Sequence, residues 1–209
     1  MDRMARGILV GMALGDGHIR IRRDLRYPNA LPSATLCVKH CARQTEYAEY
    51  KANLLHRILG GAKPKVSPFD NSGFPGVLFA KTNKYFRILG KRLYRNGHKF
   101  ISRQILDYLT DEGLAIWWMD DGSLYMKKRN GIIHAREGIL STYCSKPEYE
   151  TVVDWFKDKY SIIVAPVVHK SSFRIRINTA NLKLLVPIIA PYVVPCLSYK
   201  VDMKYDPEL

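Results

Sequence analysis

No stretch of this chain stays apolar for the roughly 18 residues needed to cross a bilayer, so neither a transmembrane helix nor a membrane partner is expected. The opening residues, Met1-Asp2-Arg3-Met4-Ala5-Arg6, are too few to hold the charged and apolar regions of a signal peptide. The expectation is an intracellular protein, of phage or bacterial cytoplasm or of an organelle, and not a secreted one. Cysteine is scarce, and Cys37, Cys41, Cys144 and Cys196 form no CxxC pair. Cys37 and Cys41 lie around His40, but no second cluster offers the remaining ligands of a structural zinc site. Reduced thiols are therefore expected. Acidic residues are few as well: 19 Asp and Glu stand against 33 Lys and Arg, giving a net charge of +14 and a pI of about 9.7. Such an excess favours a polyanionic partner, most often nucleic acid.

Apolar residues, at 47%, and aromatics, at 11%, are sufficient for a real core. The most informative feature is a short pattern that occurs twice. Gly7-Ile8-Leu9-Val10-Gly11-Met12-Ala13-Leu14-Gly15-Asp16-Gly17 and Leu114-Ala115-Ile116-Trp117-Trp118-Met119-Asp120-Asp121-Gly122 are apolar runs of about two helical turns, each ending in Asp-Gly. The C-terminus of a helix carries negative dipole charge, so a carboxylate there costs free energy. Two such endings, about half the chain apart, point to two similar halves that each supply one functional carboxylate.

The rest of the chain supports a repeat. In the first half the pattern predicts a helix over 6–14, strands over 18–23 and 34–40 around a loop at 24–32, and a helix over 45–59 stopped by Gly60-Gly61. A strand pair over 63–67 and 76–82 follows, around a turn at 69–75, and then a helix over 84–94. Residues 98–108 link the halves and lack the Pro, Gly and Ser of a loose linker, so they are expected to be ordered. In the second half Thr110 is a good N-cap, and Asp111 and Glu112 suit the first helical turn. Strands over 123–129 and 137–143 flank the Asn130-Gly131 turn. A helix over 147–160, strands over 164–170 and 172–178, and a last helix over 182–192, whole or in two pieces around Pro187, complete it. Residues 201–209 read as a loose polar tail. The domains are thus a first repeat over 1–97, a connector over 98–111 and a second repeat over 112–209, of α/β (α+β) class.

If the two motif helices pack side by side, Asp16 and Asp121 come together and repel. A hard divalent cation relieves that, and magnesium suits few carboxylates together with waters and phosphates. A basic protein with a paired acidic site therefore points to a nuclease. Basic residues alternate with apolar ones on the strands: Arg20, Arg22, Lys39 and Lys81 in the first half, and Lys127, Arg129, Lys170, Arg174 and Arg176 in the second. Two-stranded ribbons fit the major groove of DNA. Each of these cations has contact with phosphate, or a solvated edge, as its alternative role.

The two motifs, at this spacing and with Leu-Thr before the second, resemble those of single-chain, two-repeat LAGLIDADG homing endonucleases of the intron-encoded kind. The resemblance covers about residues 5–204. It implies a monomer of two pseudo-twofold related αββαββα repeats with an antiparallel β saddle for double-stranded DNA. It also implies site-specific double-strand cleavage of a long, asymmetric target, with Asp16 and Asp121 binding Mg2+ and with Gly15 and Asp120 beside them in the metal set. Asp120 has hydrogen bonding to nearby backbone as an alternative role. The family places a basic residue near each half of the active site. Lys200, in Pro191-Tyr192-Val193-Val194-Pro195-Cys196-Leu197-Ser198-Tyr199-Lys200, resembles the second. The first falls in His98-Lys99-Phe100-Ile101, where Lys99 is preferred over His98 and Ile101 replaces the family's usual proline. Motif two carries Ile116 where motif one has Gly11, so the helices are expected to cross unequally. Two rival functions remain: an RNA maturase that assists splicing of its host intron RNA, and a cleavage-dead DNA-binding regulator.

Overall fold

The first apolar run folds as α1 (Arg3–Leu14), and the second as α5 (Asp111–Asp121). Past its first turn, and short of the aspartates that end α5, each is apolar on every face. Gly7 through Gly15 are all buried, as are Gly113 through Met119. A helix apolar all round has to be enclosed on every side. The computed structural model describes all residues except 28, 72, 131 and 205–209. Among those described, no helix is long and apolar enough to cross a membrane. The turn glycine expected at 131 and the end of the tail lie outside the described residues.

The fold divides into two compact units, one of Met12–Lys99 and one of Met1–Gly11 with Phe100–Leu209, so the division falls inside α1. The first of these holds β1 (His18–Arg22), β2 (Ser33–Cys41), α2 (Thr45–Leu59), β3 (Ser67–Asn71), β4 (Phe74–Thr82) and α3 (Lys84–Leu93). A short ribbon of β5 (Tyr94–Arg95) and β6 (His98–Lys99) closes it. The four long strands form an antiparallel sheet in the order β1-β2-β4-β3. Leu36, Val38 and Phe79 on the sheet, Tyr47 and Leu55 on α2, and Phe86 on α3 are buried in its core. The β3–β4 hairpin is tighter than expected. The strand begins at Ser67, not at 63, and the chain reverses at Gly73, whose φ of 85° suits glycine. Phe69 and Pro75, read from the sequence as turn residues, instead pair within the ladder with Gly76 and Asp70.

The other unit repeats the plan. After α4 (Arg103–Leu106) and α5 come β7 (Gly122–Arg129), β8 (Ile132–Cys144), α6 (Lys146–Tyr160), β9 (Val164–His169), β10 (Ser172–Ile177) and α7 (Thr179–Ile189). Two 3-10 turns, Ala190–Tyr192 and Pro195–Lys200, finish it. Its sheet runs β7-β8-β10-β9, the same order as in the first unit, and every pairing is antiparallel. β8 begins at Ile132, earlier than the expected 137, and pairs with β7 almost to the turn. Ser145 and Glu148 form a reciprocal capping box at α6. The other oxygen of Glu148 accepts the Ile101 amide at 2.8 Å, which ties down part of the ordered connector.

The helix crossing differs from the expected one. Gly11 meets the backbone of Gly113, not Ile116, and Gly113 in turn meets Gly7; a Cβ on Gly7 would lie 2.5–2.7 Å from Thr110. Counting back from each Asp-Gly pairs Gly11 with Ile116. The actual contact is set by where the two cylinders cross, one turn nearer the start of α5. The close approach is glycine to glycine, and both partners must stay small.

Candidate active site and nucleic-acid interface

Each Asp-Gly ends its helix as a sharp departure of the backbone. The Gly17 amide donates to the Met12 carbonyl at 2.9 Å, and the Gly122 amide donates to that of Trp118. A Cβ at Gly17 would collide with Met12, and one at Gly122 would lie 2.5 Å from the Trp118 carbonyl oxygen, so a side chain fits at neither place.

The last turns of α1 and α5 contain no basic residue of their own. Lysines distant in sequence supply the missing charge. Lys99 Nζ donates to the Leu14 carbonyl at 3.2 Å and also to that of Gly15. Lys200 Nζ donates to the Met119 carbonyl at 2.6 Å and to that of Asp120 at 3.4 Å. Both lysines therefore satisfy the orphan carbonyls at a helix C-terminus and offset its dipole. His98 is exposed, and in this turn it is Lys99 that reaches the helix end. Lys200 is held in turn, because its own carbonyl accepts the Trp118 indole N–H at 2.9 Å.

The carboxylates have unlike surroundings. Asp16 is 40% exposed at its side chain and lines an open cleft of about 370 Å³ with Lys39, His40, Gln44 and Phe69. One of its oxygens is 3.3 Å from His40 Nδ1. Asp121 is half-buried and accepts the Trp117 indole N–H at 3.1 Å. Asp120, also half-buried, supplies a carbonyl to Lys200. The donors at these helix ends are carboxylate and carbonyl oxygens, with one imidazole beside Asp16, and hard divalent cations take oxygen donors of this kind.

Sequence reasoning did not single out His40 and Lys51 as site residues. His40 is buried on the inner face of β2, and its Nε2 lies 3.3 Å from the ammonium of Lys51, a fully buried residue of α2 that also sits 4.4 Å from the Tyr47 ring centre. The signal was present: His40 continues the apolar alternation of Ala34, Leu36 and Val38, and Lys51 falls one turn after Tyr47 on the inward stripe of α2.

Strand register sorts the expected DNA-binding cations. Arg20 and Arg22 pair with Thr35 and Ser33, so they share the outer face of their sheet with Lys39. Lys81 does not. It pairs with Leu36 on the helix side of the sheet, and its ammonium donates to the Gly60 and Ala62 carbonyls at 2.7 and 2.6 Å, capping the end of α2. In the second sheet Lys127, Arg174 and Arg176 lie on the outer face, and Lys170 stands exposed at the β9–β10 turn. The backbone of Arg129 ends β7. Glu137, another residue missed from the sequence, is buried among these cations, 2.8 Å from Lys127 and 3.9 Å from Arg176. It holds both side chains in place before any partner arrives.

The profile of the LAGLIDADG DNA endonuclease family matches residues 6–185. A RecA protein of Mycobacterium gastri is 27% identical over 210 residues, covering 95% of this chain and 47% of that protein. The chain thus spans about half the length of the RecA relatives it matches. A probable intron-encoded DNA endonuclease of Mycosarcoma maydis is 31% identical over 103 residues, covering 49% of this chain and 71% of that one. Among solved structures, the homing endonuclease I-WcaI bound to its DNA recognition sequence has a TM-score of 0.74 at 22% identity, covering 96% of this chain and 86% of that one. This likeness is one of fold.

Proposed function

Because the chain belongs to the LAGLIDADG DNA endonuclease family, we propose that it is a site-specific homing endonuclease that makes double-strand breaks in a long, asymmetric DNA target. The observation that carries this reading is the repeated helix end: an aspartate follows two carbonyls that a remote lysine holds, once with Lys99 and once with Lys200. A merely structural turn does not require the same cation to arrive twice from elsewhere in the chain. The two repeats, 1–97 and 112–209 with their connector, are proposed as copies of one ancestral unit, each bringing one such end.

In this reading Asp16 and Asp121 hold divalent cations, with Gly15 and Asp120 beside them, and magnesium is the natural choice for oxygen donors that leave room for waters and phosphates. When bound, the cation supplies charge neutralisation at phosphate and a more acidic water. The chain's own residues do the rest. Lys99 and Lys200 keep positive charge beside each carboxylate and fix the backbone that carries it. The outer faces of the sheets, with Arg20, Arg22 and Lys39 on one and Lys127, Arg174 and Arg176 on the other, take the phosphates and base edges of DNA. The intact acidic residues favour cleavage over a purely regulatory role, since binding alone does not require them.

The test is cleavage of a partly randomised duplex library, with magnesium and then with calcium. Nicks and double-strand cuts are expected with magnesium only. If the protein binds duplexes tightly and never cuts across a diverse library, while stimulating splicing of an intron RNA, the maturase reading replaces this one.

A further inference from the structure

We propose that His40 is a positioning residue for Asp16 and that the buried Lys51 fixes its imidazole as the Nδ1–H tautomer, so that the ring orients the carboxylate and does not itself ligate a cation. The inference builds on the assignment of Asp16 to the endonuclease site.

The argument starts from Lys51. Lysine is rarely buried completely, because its ammonium loses hydration that a protein seldom replaces. Here the ammonium sits 4.4 Å from the centre of the Tyr47 ring, within the range of a cation–π contact, and 3.3 Å from His40 Nε2. An ammonium has three donors and no acceptor. Its imidazole neighbour must therefore accept, which leaves Nε2 without a proton. A neutral ring then carries its proton on Nδ1, the atom 3.3 Å from Asp16 Oδ2. That nitrogen makes no directed hydrogen bond, and the carboxylate oxygen lies beside it at ion-pair distance, so the N–H dipole and the carboxylate attract without one.

Two consequences follow. With Nδ1 protonated, His40 cannot offer that atom to a metal, although it lies next to a candidate metal ligand. Asp16, at the exposed end of the chain of contacts, has one oxygen directed toward the ring. A carboxylate with one oxygen drawn toward a fixed N–H dipole is restrained in rotation, and such outer partners orient the groups that ligate. The restraint originates in α2, since Lys51 and Tyr47 both belong to that helix. Helix α2 thereby reaches the aspartate that follows α1 through one strand residue.

The full-length, metal-free protein labelled with 15N-histidine tests this. Long-range proton–nitrogen correlation spectra should show a pyrrole-type Nδ1 and a pyridine-type Nε2 for His40, assigned by the signal that disappears in His40→Gln. In Lys51→Met the ring should shift to the Nε2–H form or a mixture, and cleavage should fall about 10–100-fold. His40→Gln, whose amide can both accept from Lys51 and donate to Asp16, should cut far better than His40→Leu. An Nε2–H ring in the wild type overturns the proposal, as does an unchanged tautomer in Lys51→Met or equal damage from Gln and Leu. If Lys51→Met fails to fold, the wild-type tautomer and the Gln–Leu comparison decide. A protein with the expected tautomer that never cuts DNA counts against the endonuclease reading and leaves the positioning contact standing.

Discussion

Lys99 and Lys200 make the same pair of contacts: each ammonium donates to the two carbonyls that immediately precede a motif aspartate, Leu14 and Gly15 in one case, Met119 and Asp120 in the other. Replacing Lys200 by Met keeps most of the volume and removes the charge. The buried carbonyls then lose their donor, which costs about 1–3 kcal/mol per unsatisfied group. A lower melting temperature by calorimetry, with cleavage reduced about 100-fold and DNA affinity nearly unchanged, is expected. Lys99→Met should behave alike. Near-normal cleavage in both variants would reduce the lysines to caps.

The aspartates separate binding from chemistry. Asp16→Asn and Asp121→Asn keep shape and remove charge, so each should bind duplex DNA as well as the wild type, or better, and fail to make double-strand breaks. Gel-shift and cleavage assays on one target check this. Full cutting by either variant would remove that residue from the site.

At the crossing of α1 with α5, Gly11→Ala places a methyl group against the Gly113 carbonyl. Backbone cannot yield as a flexible side chain does, so the cost should reach or exceed the ~1–3 kcal/mol of ordinary overpacking. Gly97→Ala, with φ of 80° and open space around it, is the control and should cost only about 1–2 kcal/mol of left-handed strain. Chemical denaturation of the two variants gives the comparison.

Alkaline pH should weaken the fold through Tyr160. Its hydroxyl donates to Asp111 at 2.8 Å, and burial first, then that carboxylate, pushes its ionisation far above the usual range. Below the unfolded value of about 10 the contribution is complete. Above it the unfolded chain releases the proton first, and stability falls. Lys159, whose ammonium burial drives downward, acts with the opposite sign, gaining stability as pH rises. The stability gap between wild type and Tyr160→Phe isolates the tyrosine and should narrow as pH passes about 10.

Lys81 and Arg20 should part company. Lys81→Met loses the α2 cap and lowers stability with little change in DNA affinity. Arg20→Ala should weaken binding and reduce the slope of log affinity against log salt by about one. Similar salt slopes for both variants would contradict the register that puts them on opposite faces.

Much of this was legible in the sequence where one element decides its own fate. The bounds of α2, Thr45–Leu59, follow from its inward stripe and from Gly60-Gly61. The face of Lys81 was also written in the alternation, since it shares odd numbering with Val77 and Phe79, but its charge drew the reading toward DNA. What two elements decide together was not legible. The Gly11–Gly113 contact depends on where two helices cross, and the Lys99 and Lys200 caps depend on turns that return long after the helices they close. Lys51 was hidden for a related reason, because a charge on an apolar stripe acquires meaning only with its partner, and His40 lies on another element.

The division inside α1 bears on how relatives could exchange parts. Residues Met1–Gly11 fold with Phe100–Leu209, although they come first in the chain. A hybrid that joins one parent's residues 1–97 to another's remainder would therefore pair a foreign helix start with the Gly113 surface of α5. Grafting the opening eleven residues along with the later half keeps that glycine seam native, and hybrids assembled that way should be the ones recovered in soluble form.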